Sequence, residues 1–280
     1  MRKLSFRKKL LICAALVLLV LILWTLWGNT ALTVSRISIR GPSELEGLRI
    51  AHISDLHNAE FGEGNAELLK LLAETEPDFI AVTGDLVDSR HTDMDIALEF
   101  MRGAVKTAPA YYVPGNHEAR LSEYGELRDG LEAAGVTVLE DRAVSPKGYA
   151  RVNIIGLADP DFAISGDIFG EAPAMAGAKL SGLVDPHYYN ILLSHRPELF
   201  DTYASSSIDL ALTGHAHGGQ FRLPFLGGLI APNQGLFPKY DSGLYTEGGS
   251  NMVVSRGLGN SIIPLRFNNR PEIVVIEFIK

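Results

Sequence analysis

Five short apolar runs in this chain of 280 residues each stop at a side chain able to bind a metal ion. Residues 48–53 lead to Asp55 and His57, and residues 79–82 lead to Gly84, Asp85 and Asp88. Residues 110–113 lead to Gly115, Asn116, His117 and Glu118. Residues 189–193 lead to His195, and residues 208–212 lead to Gly214, His215 and His217. Carboxylate oxygen, amide oxygen and imidazole nitrogen together suit Mn, Fe, Zn and similar divalent ions. Cys13 is the only cysteine, so a thiolate zinc finger and a disulfide framework are both excluded. These donors are too many for one ion. They suit a pair of ions ~3.5–4 Å apart that share one carboxylate.

The elements that carry them read as follows. Apolar runs this short, closed by glycine or a polar turn, are buried strands. Gly84 permits a sharp turn after its strand. In an extended chain Asp55 and His57 project to the same side, because side chains repeat every two residues. Between the strands lie three helical patterns. Residues 63–76 have a stripe of Leu68, Leu69, Leu71 and Leu72 and stop before Pro77. Residues 92–106 start at Thr92 as N-cap, with Asp93 and Asp95 in the first turn. Residues 121–134 end at Gly135. Strand, helix, strand in this order means parallel pairs with crossover helices, and such sheets hold ligands at the C-terminal ends of their strands. Residues 34–40, 136–139, 152–158, 252–255 and 273–279 read as further strands. Residues 164–186 read as a loop with one short helix.

The first ten residues carry five basic groups, Arg2, Lys3, Arg7, Lys8 and Lys9, and no acid. The formal net charge is −8, which leaves −13 on the rest of the chain. A body this acidic argues against nucleic acid as a partner. Residues 10–27 are apolar apart from Thr25 and end near Trp24 and Trp27. At ~1.5 Å per residue the run crosses most of a ~30 Å hydrocarbon core. It exceeds the core of a cleaved signal peptide, and the tryptophans suit an interface, so the reading is an uncleaved single-pass anchor. The basic tail puts the N-terminus in the cytoplasm and the remainder outside the cytoplasmic membrane.

The five blocks, in this order, resemble the signature of the calcineurin-like metallophosphoesterases: Asp55-x-His57, Gly84-Asp85-x-x-Asp88, Gly115-Asn116-His117-Glu118, His195 and Gly214-His215-x-His217. His217-Gly218-Gly219-Gln220, Ser255-Arg256-Gly257 and Arg270-Pro271-Glu272 look like the bacterial membrane-associated branch. The resemblance implies an α/β fold, a four-layer sandwich of two mixed sheets flanked by helices. Here the sandwich would occupy residues 48–280, after a basic tail (1–9), an anchor (10–27) and a linker with the first strand (28–47). It implies two divalent metal ions. Asp55, His57 and His217 would hold one, and Asn116, His195 and His215 the other, with Asp85 between them. It implies in-line attack on phosphorus by a hydroxide between the metals. His117 would act as general acid and Asp88 would orient it. Plant-type purple acid phosphatases have a metal-binding tyrosine just after the bridging aspartate; this chain has Asp88 in that region, against a tyrosinate-iron site.

The function expected is a membrane-bound phosphodiesterase acting on a phosphorylated small-molecule or lipid-linked substrate. Two alternatives stand beside it. One is a pyrophosphatase of a nucleotide-linked acylated sugar, whose cytoplasmic origin conflicts with the expected orientation. The other is a non-catalytic, metal-stabilised binding module. Outside the blocks, His52 reads as a core histidine, His91 as a loop residue, His187 as surface, Asp159 as a turn residue and Glu118 as a support. Of Arg196, Arg256 and Arg266 as phosphate clamps, Arg256 is preferred.

Overall fold

The apolar runs form the strands of two six-stranded sheets in a computed structural model that describes residues 5–164 and 170–280. Arg2 and Lys3 of the basic tail, and residues 165–169 of the expected loop, lie outside the described residues. The first sheet contains β1 (Thr33–Arg40), β2 (Arg49–Ile53), β3 (Phe79–Thr83), β4 (Ala110–Val113) and β5 (Thr137–Val138). The second contains β6 (Arg142–Val144), β7 (Val152–Gly156), β8 (Tyr189–Leu193) and β9 (Leu210–Thr213). Two small hairpins follow, β10 (Arg222–Leu223) with β11 (Gly227–Gly228) and β12 (Ile230–Ala231) with β13 (Gly235–Leu236). The chain then completes the second sheet with β14 (Gly243–Glu247) and β15 (Ser250–Val254), and returns to the first with β16 (Glu272–Ile279), between β1 and β2.

Both sheets are mixed. β2 to β5 are parallel, as are β7, β8, β9 and β15. β6 and β14 are antiparallel edges, and β16 runs antiparallel to β2 but parallel to β1. The central strands are buried on both faces, which is why they read as unbroken apolar runs. On β3, Phe79 and Ala81 enter the core between the sheets, where they meet Ile191, Leu193, Leu210 and Leu212. Ile80 and Val82, one step out of phase, face the helices.

Those helices are α2 (Ala66–Ala73), α3 (Met94–Ala104) and α5 (Tyr124–Ala133), which bury Leu72, Phe100 and Leu127 on the outer face of the first sheet. A single helical turn, α4 (Asn116–Ala119), precedes α5. On the other side α6 (Ala172–Leu180) and α7 (Phe200–Ser205) cover the second sheet. The result is the four-layer α/β sandwich with mixed sheets that the resemblance implied.

Three local readings change. Asp93, not Thr92, caps α3: its Oδ1 accepts from Asp95 N at 3.2 Å and Ile96 N at 3.5 Å. Thr92 Oγ1 donates instead to the Asp88 carbonyl at 3.2 Å, tying the helix to the loop that carries the site. The start of the 63–76 pattern is a tight turn at Glu63–Asn65 with Gly64 left-handed at φ 61°, so the regular helix begins at Ala66. The edge strand β6 was not foreseen; its three residues are too few to show alternation.

Helix α1 (Phe6–Thr30) stands apart from the layers. Ser5 caps it by accepting from Lys8 N. Its apolar side chains are exposed and only Gly28 is buried, so it is not a core helix. Its length and composition suit a membrane crossing, at about 37 Å for 25 residues. Among the described residues, only its last turn is fastened to the domain. Asn29 bonds to Arg266, and the Arg270 guanidinium lies 4.8 Å from the Trp27 ring centroid.

Candidate metal centre

The C-terminal ends of β2, β3, β4, β8 and β9 deliver the five blocks to one seam. Backbone hydrogen bonds lace the loops together: Asp55 N to Gly84 O at 3.1 Å and His57 N to Asp85 O at 3.0 Å. Asp85 Oδ1 accepts from His117 N at 2.9 Å, and Asp55 Oδ1 accepts from His215 N at 3.1 Å. Two glycines make this closeness possible. A Cβ on Gly84, which also has φ +83°, would lie 2.5 Å from Gly115 N. A Cβ on Gly214 would lie 1.9 Å from Ser54 Oγ and 2.4 Å from Asp55 Oδ2.

Asp55 and His57 do converge, but not by strand alternation. β2 ends at Ile53, and Asp55 and His57 are left-handed at φ 52° and 46°. Asp85, His215 and His217 are left-handed too, at φ 52°, 66° and 48°. Each such non-glycine residue costs roughly 1–3 kcal/mol, and strain of this kind gathers at functional sites. The strand-based expectation for Asp55 and His57 failed because the chain leaves the extended region before it reaches them.

All nine predicted site residues are buried within this seam. His57 Nε2 and His217 Nε2 are 3.2 Å apart with their rings stacked. Asp55 Oδ1 is 3.4 Å from His217 Nε2 and 3.9 Å from His57 Nε2. Asp85 Oδ2 is 3.5 Å from His57 Nε2 and 3.2 Å from His195 Nε2, so it touches both groups. Asp85, His195 and His215 form a second cluster, and His57, Asp88 and His117 a third. His195 Nδ1 is 2.6 Å from the Thr83 carbonyl oxygen. That contact places a proton on Nδ1 and leaves Nε2 free to ligate.

These residues fit divalent cations on two grounds. Buried Asn116 Oδ1 has no hydrogen-bond partner, and buried His195 Nε2 faces the carboxylates of Asp85, at 3.2 Å, and Asp55, at 3.9 Å. The donor separations of 3.2–3.9 Å approximate the edges of a coordination shell with bonds of about 2.0–2.2 Å. Burial lowers His57 and His217 to about 3 and holds His215 well below its usual value, so these rings are neutral, as ligands must be. Burial would also lower His195, but Asp85 beside it outweighs that and raises it to about 10. Burial would raise Asp85, yet His195 and His57 hold it well below the carboxylate range. The buried carboxylates thus demand positive charge, which a proton on His195 or a cation supplies at the same place.

His117 stands beside this cluster, its ring edge-on to His57 with centroids 4.6 Å apart. Asp88 does not bond to it directly: Oδ1 is 3.6 Å from His117 Nδ1. Ser89 N donates to Nδ1 at 3.0 Å instead. Both Asp88 oxygens serve Arg90, from Nε at 3.1 Å and Nη2 at 2.6 Å. Burial would raise Asp88, but Arg90 brings it down to about 2. His117 Nε2 faces Ser261 Oγ at 3.2 Å.

Several supports were weakly signalled or missed. Glu118 Oε2 accepts from Asp85 N and Gly115 N at 2.7 Å each, and Oε1 accepts from Val87 N at 3.3 Å. Burial and the neighbouring Asp85 raise Glu118 to about 7, against those amide donors. Asn58, not singled out in the sequence, accepts from Asp88 N and donates to His91 O. Asp159 caps a turn, as expected, and also pairs with buried Arg196 at 2.5 and 2.8 Å. Arg256 is committed to Glu272 and Ser35, and Arg266 is buried among backbone carbonyls. Neither matches the role of a free phosphate clamp. His52 is the expected core histidine, bonded to Thr83 Oγ1 at 2.8 Å.

The fold and this arrangement define a calcineurin-like metallophosphoesterase. The profile of the calcineurin-like phosphoesterases matches residues 48–219, and the chain belongs to that family. It is therefore a phosphoric ester hydrolase of a family that uses divalent metals. It is 30% identical over 238 residues to the uncharacterized metallophosphoesterase YkuE of Bacillus subtilis strain 168, covering 84% of this chain and 80% of that one. It is 29% identical over 246 residues to the phosphodiesterase YaeI of Escherichia coli K12, covering 82% of each. The crystal structure of TT1561 of Thermus thermophilus shares the fold, with TM-score 0.52 at 18% identity over 76% of this chain and 90% of that one.

Proposed function

We propose that the protein is a membrane-anchored phosphodiesterase whose centre holds two divalent cations. Asp55, His57 and His217 would hold one, and Asn116, His195 and His215 the other, with Asp85 common to both. The observation that carries this reading is the position of Asp85 Oδ2, within 3.5 Å of both His57 Nε2 and His195 Nε2. Bound cations would supply Lewis acidity and bring the pKa of water into the neutral range. The phosphodiesterase YaeI supports a diester rather than a monoester substrate.

The chain's own groups complete the chemistry. His117 Nε2, at the edge of the cluster, gives its proton to the leaving oxygen. Its Nδ1 has a partner for each charge state. Asp88 Oδ1, 3.6 Å away, suits the protonated ring that gives up its Nε2 proton, and Ser89 N–H suits the neutral ring that keeps its proton on Nε2. Asp88 is thus a positioning residue, and it also shapes the turn by accepting from Arg90 N at 2.9 Å.

The anchor would remain in place, with the N-terminus in the cytoplasm and residues 48–280 outside. A lipid-linked or envelope phosphodiester then suits a site confined to the membrane. Metal content and hydrolysis of bis(p-nitrophenyl) phosphate, measured together, test the reading. Two ions per chain with turnover support it; two ions without turnover on any phosphoester support a binding module.

A further inference from the structure

The stretch between β15 and β16 links the membrane helix to the centre. Ser261 Oγ lies 3.2 Å from His117 Nε2. Five residues on, Arg266 exchanges hydrogen bonds with Asn29 in the last turn of α1: its N–H donates to Asn29 Oδ1, and its carbonyl accepts from Nδ2, both at 2.8 Å. Asn260 reaches the same Asn29 Oδ1 at 3.3 Å. The Arg266 side chain fixes the curl of the stretch by donating to Gly259 O at 2.5 Å, Arg256 O at 2.7 Å and Asn260 Oδ1 at 3.0 Å. Gln220 Nε2 holds the carbonyls of Ile263 and Leu265, each at 2.8 Å.

Between these ties the chain is uncharged from 257 to 265, and Ile262 and Leu265 are 76% and 38% exposed. Trp27 marks the end of the apolar helix, and Asn29 lies about 3 Å further along its axis. That is within a headgroup layer of about 5–7 Å per leaflet. A loop bonded to Asn29 shares its depth. Apolar side chains on such a loop, beside the tryptophan belt, suit the bilayer interface and not open water.

We propose that residues 261–265 seat in the headgroup layer where α1 emerges, so that the cleft at His117 opens onto the lipid surface. The substrate would then be a phosphodiester drawn from a lipid headgroup. This rests on α1 remaining as the anchor and on the phosphodiesterase reading.

The test uses the full chain in nanodiscs of phosphatidylcholine and phosphatidylglycerol. With Cys13→Ser, a nitrobenzoxadiazole label at Ile262→Cys is compared with one at Lys147→Cys, in the loop at the opposite end of the second sheet's parallel strands. Nitroxide placed at the lipid headgroup should quench the first label at least about threefold more than the second. Equal quenching overturns the interface. In parallel, Ile262→Ser with Leu265→Ser should lower phosphatidylglycerol hydrolysis at least about fivefold and leave bis(p-nitrophenyl) phosphate hydrolysis within twofold. An equal fall on both substrates, or soluble turnover with none on lipid, overturns the lipid assignment. A quenched label at position 262 together with a wild type inactive on both substrates overturns the phosphodiesterase reading and leaves the interface standing.

Discussion

Asp85 Oδ2 and His195 Nε2 meet at 3.2 Å, across the seam between the two sheets. The same oxygen lies 3.5 Å from His57 Nε2, which belongs to the other cluster. Asp85 thus approaches both groups more closely than Asp55, whose Oδ1 is 3.9 Å from His57 Nε2 and from His195 Nε2. Asp85→Asn keeps the shape and the left-handed turn, which asparagine tolerates, but removes the charge. Its metal content by plasma mass spectrometry should fall close to zero, with both ions lost together. Retention of one full equivalent would show that Asp85 serves a single ion.

His117 is expected to act on the leaving group and not on the ions. His117→Ala should keep the wild-type metal content and lose about 10²–10⁴ in kcat on a phosphodiester. The loss should shrink on a substrate whose leaving group is already a weak base. Asp88→Asn should also keep its metals, with a loss of about 10–100-fold, typical of a residue that orients another. Metal loss in Asp88→Asn would contradict the positioning role.

Glu118 should matter for stability before it matters for chemistry. In Glu118→Ala the buried amides of Asp85, Gly115 and Val87 lose their acceptor. Each buried donor left unpaired costs about 1–3 kcal/mol. Thermal unfolding of the chelated protein should show a loss of roughly 3 kcal/mol or more. Glu118→Gln, which keeps one acceptor oxygen, should lose clearly less.

Glu272 should govern acid stability away from the centre. Burial would raise its pKa, but Arg256 N and Nη2, at 2.9 and 2.5 Å, together with Ser35 Oγ hold it below the usual 4.5. A carboxyl depressed in the folded state stabilises above its unfolded pKa and loses that contribution as pH falls through the folded one. The denaturant midpoint of wild type should therefore exceed that of Glu272→Gln at neutral pH. The gap should close as pH drops through and below 4.5. A gap independent of pH would remove Glu272 from the acid transition.

Much of this site is legible in the sequence because buried parallel strands leave continuous apolar runs, and their ends carry the donors. Phe79 to Thr83 and Tyr189 to Leu193 are such runs; the second matches its expected strand at both ends, and the first runs one residue past the apolar stretch. The helical turns were less legible at their starts. Thr92 and Asp93 are both good caps, and only the contact of Thr92 with the Asp88 carbonyl decides between them. The approach of Asp55 to His57 came from left-handed turns, which a period-two pattern cannot show. Asn29 and Arg266 are separated by 237 positions, and nothing local in either stretch announces the contact. Arg256 illustrates the converse: an arginine among motif residues invites a phosphate, while its buried partner Glu272 stands 16 positions on, in a separate motif.

Electron paramagnetic resonance of the manganese-loaded full chain tests the shared carboxylate most directly. Two ions joined through Asp85 should give an exchange-coupled spectrum in wild type that disappears in Asp85→Asn. At saturating manganese, a wild-type spectrum of isolated, uncoupled ions would contradict the dinuclear centre.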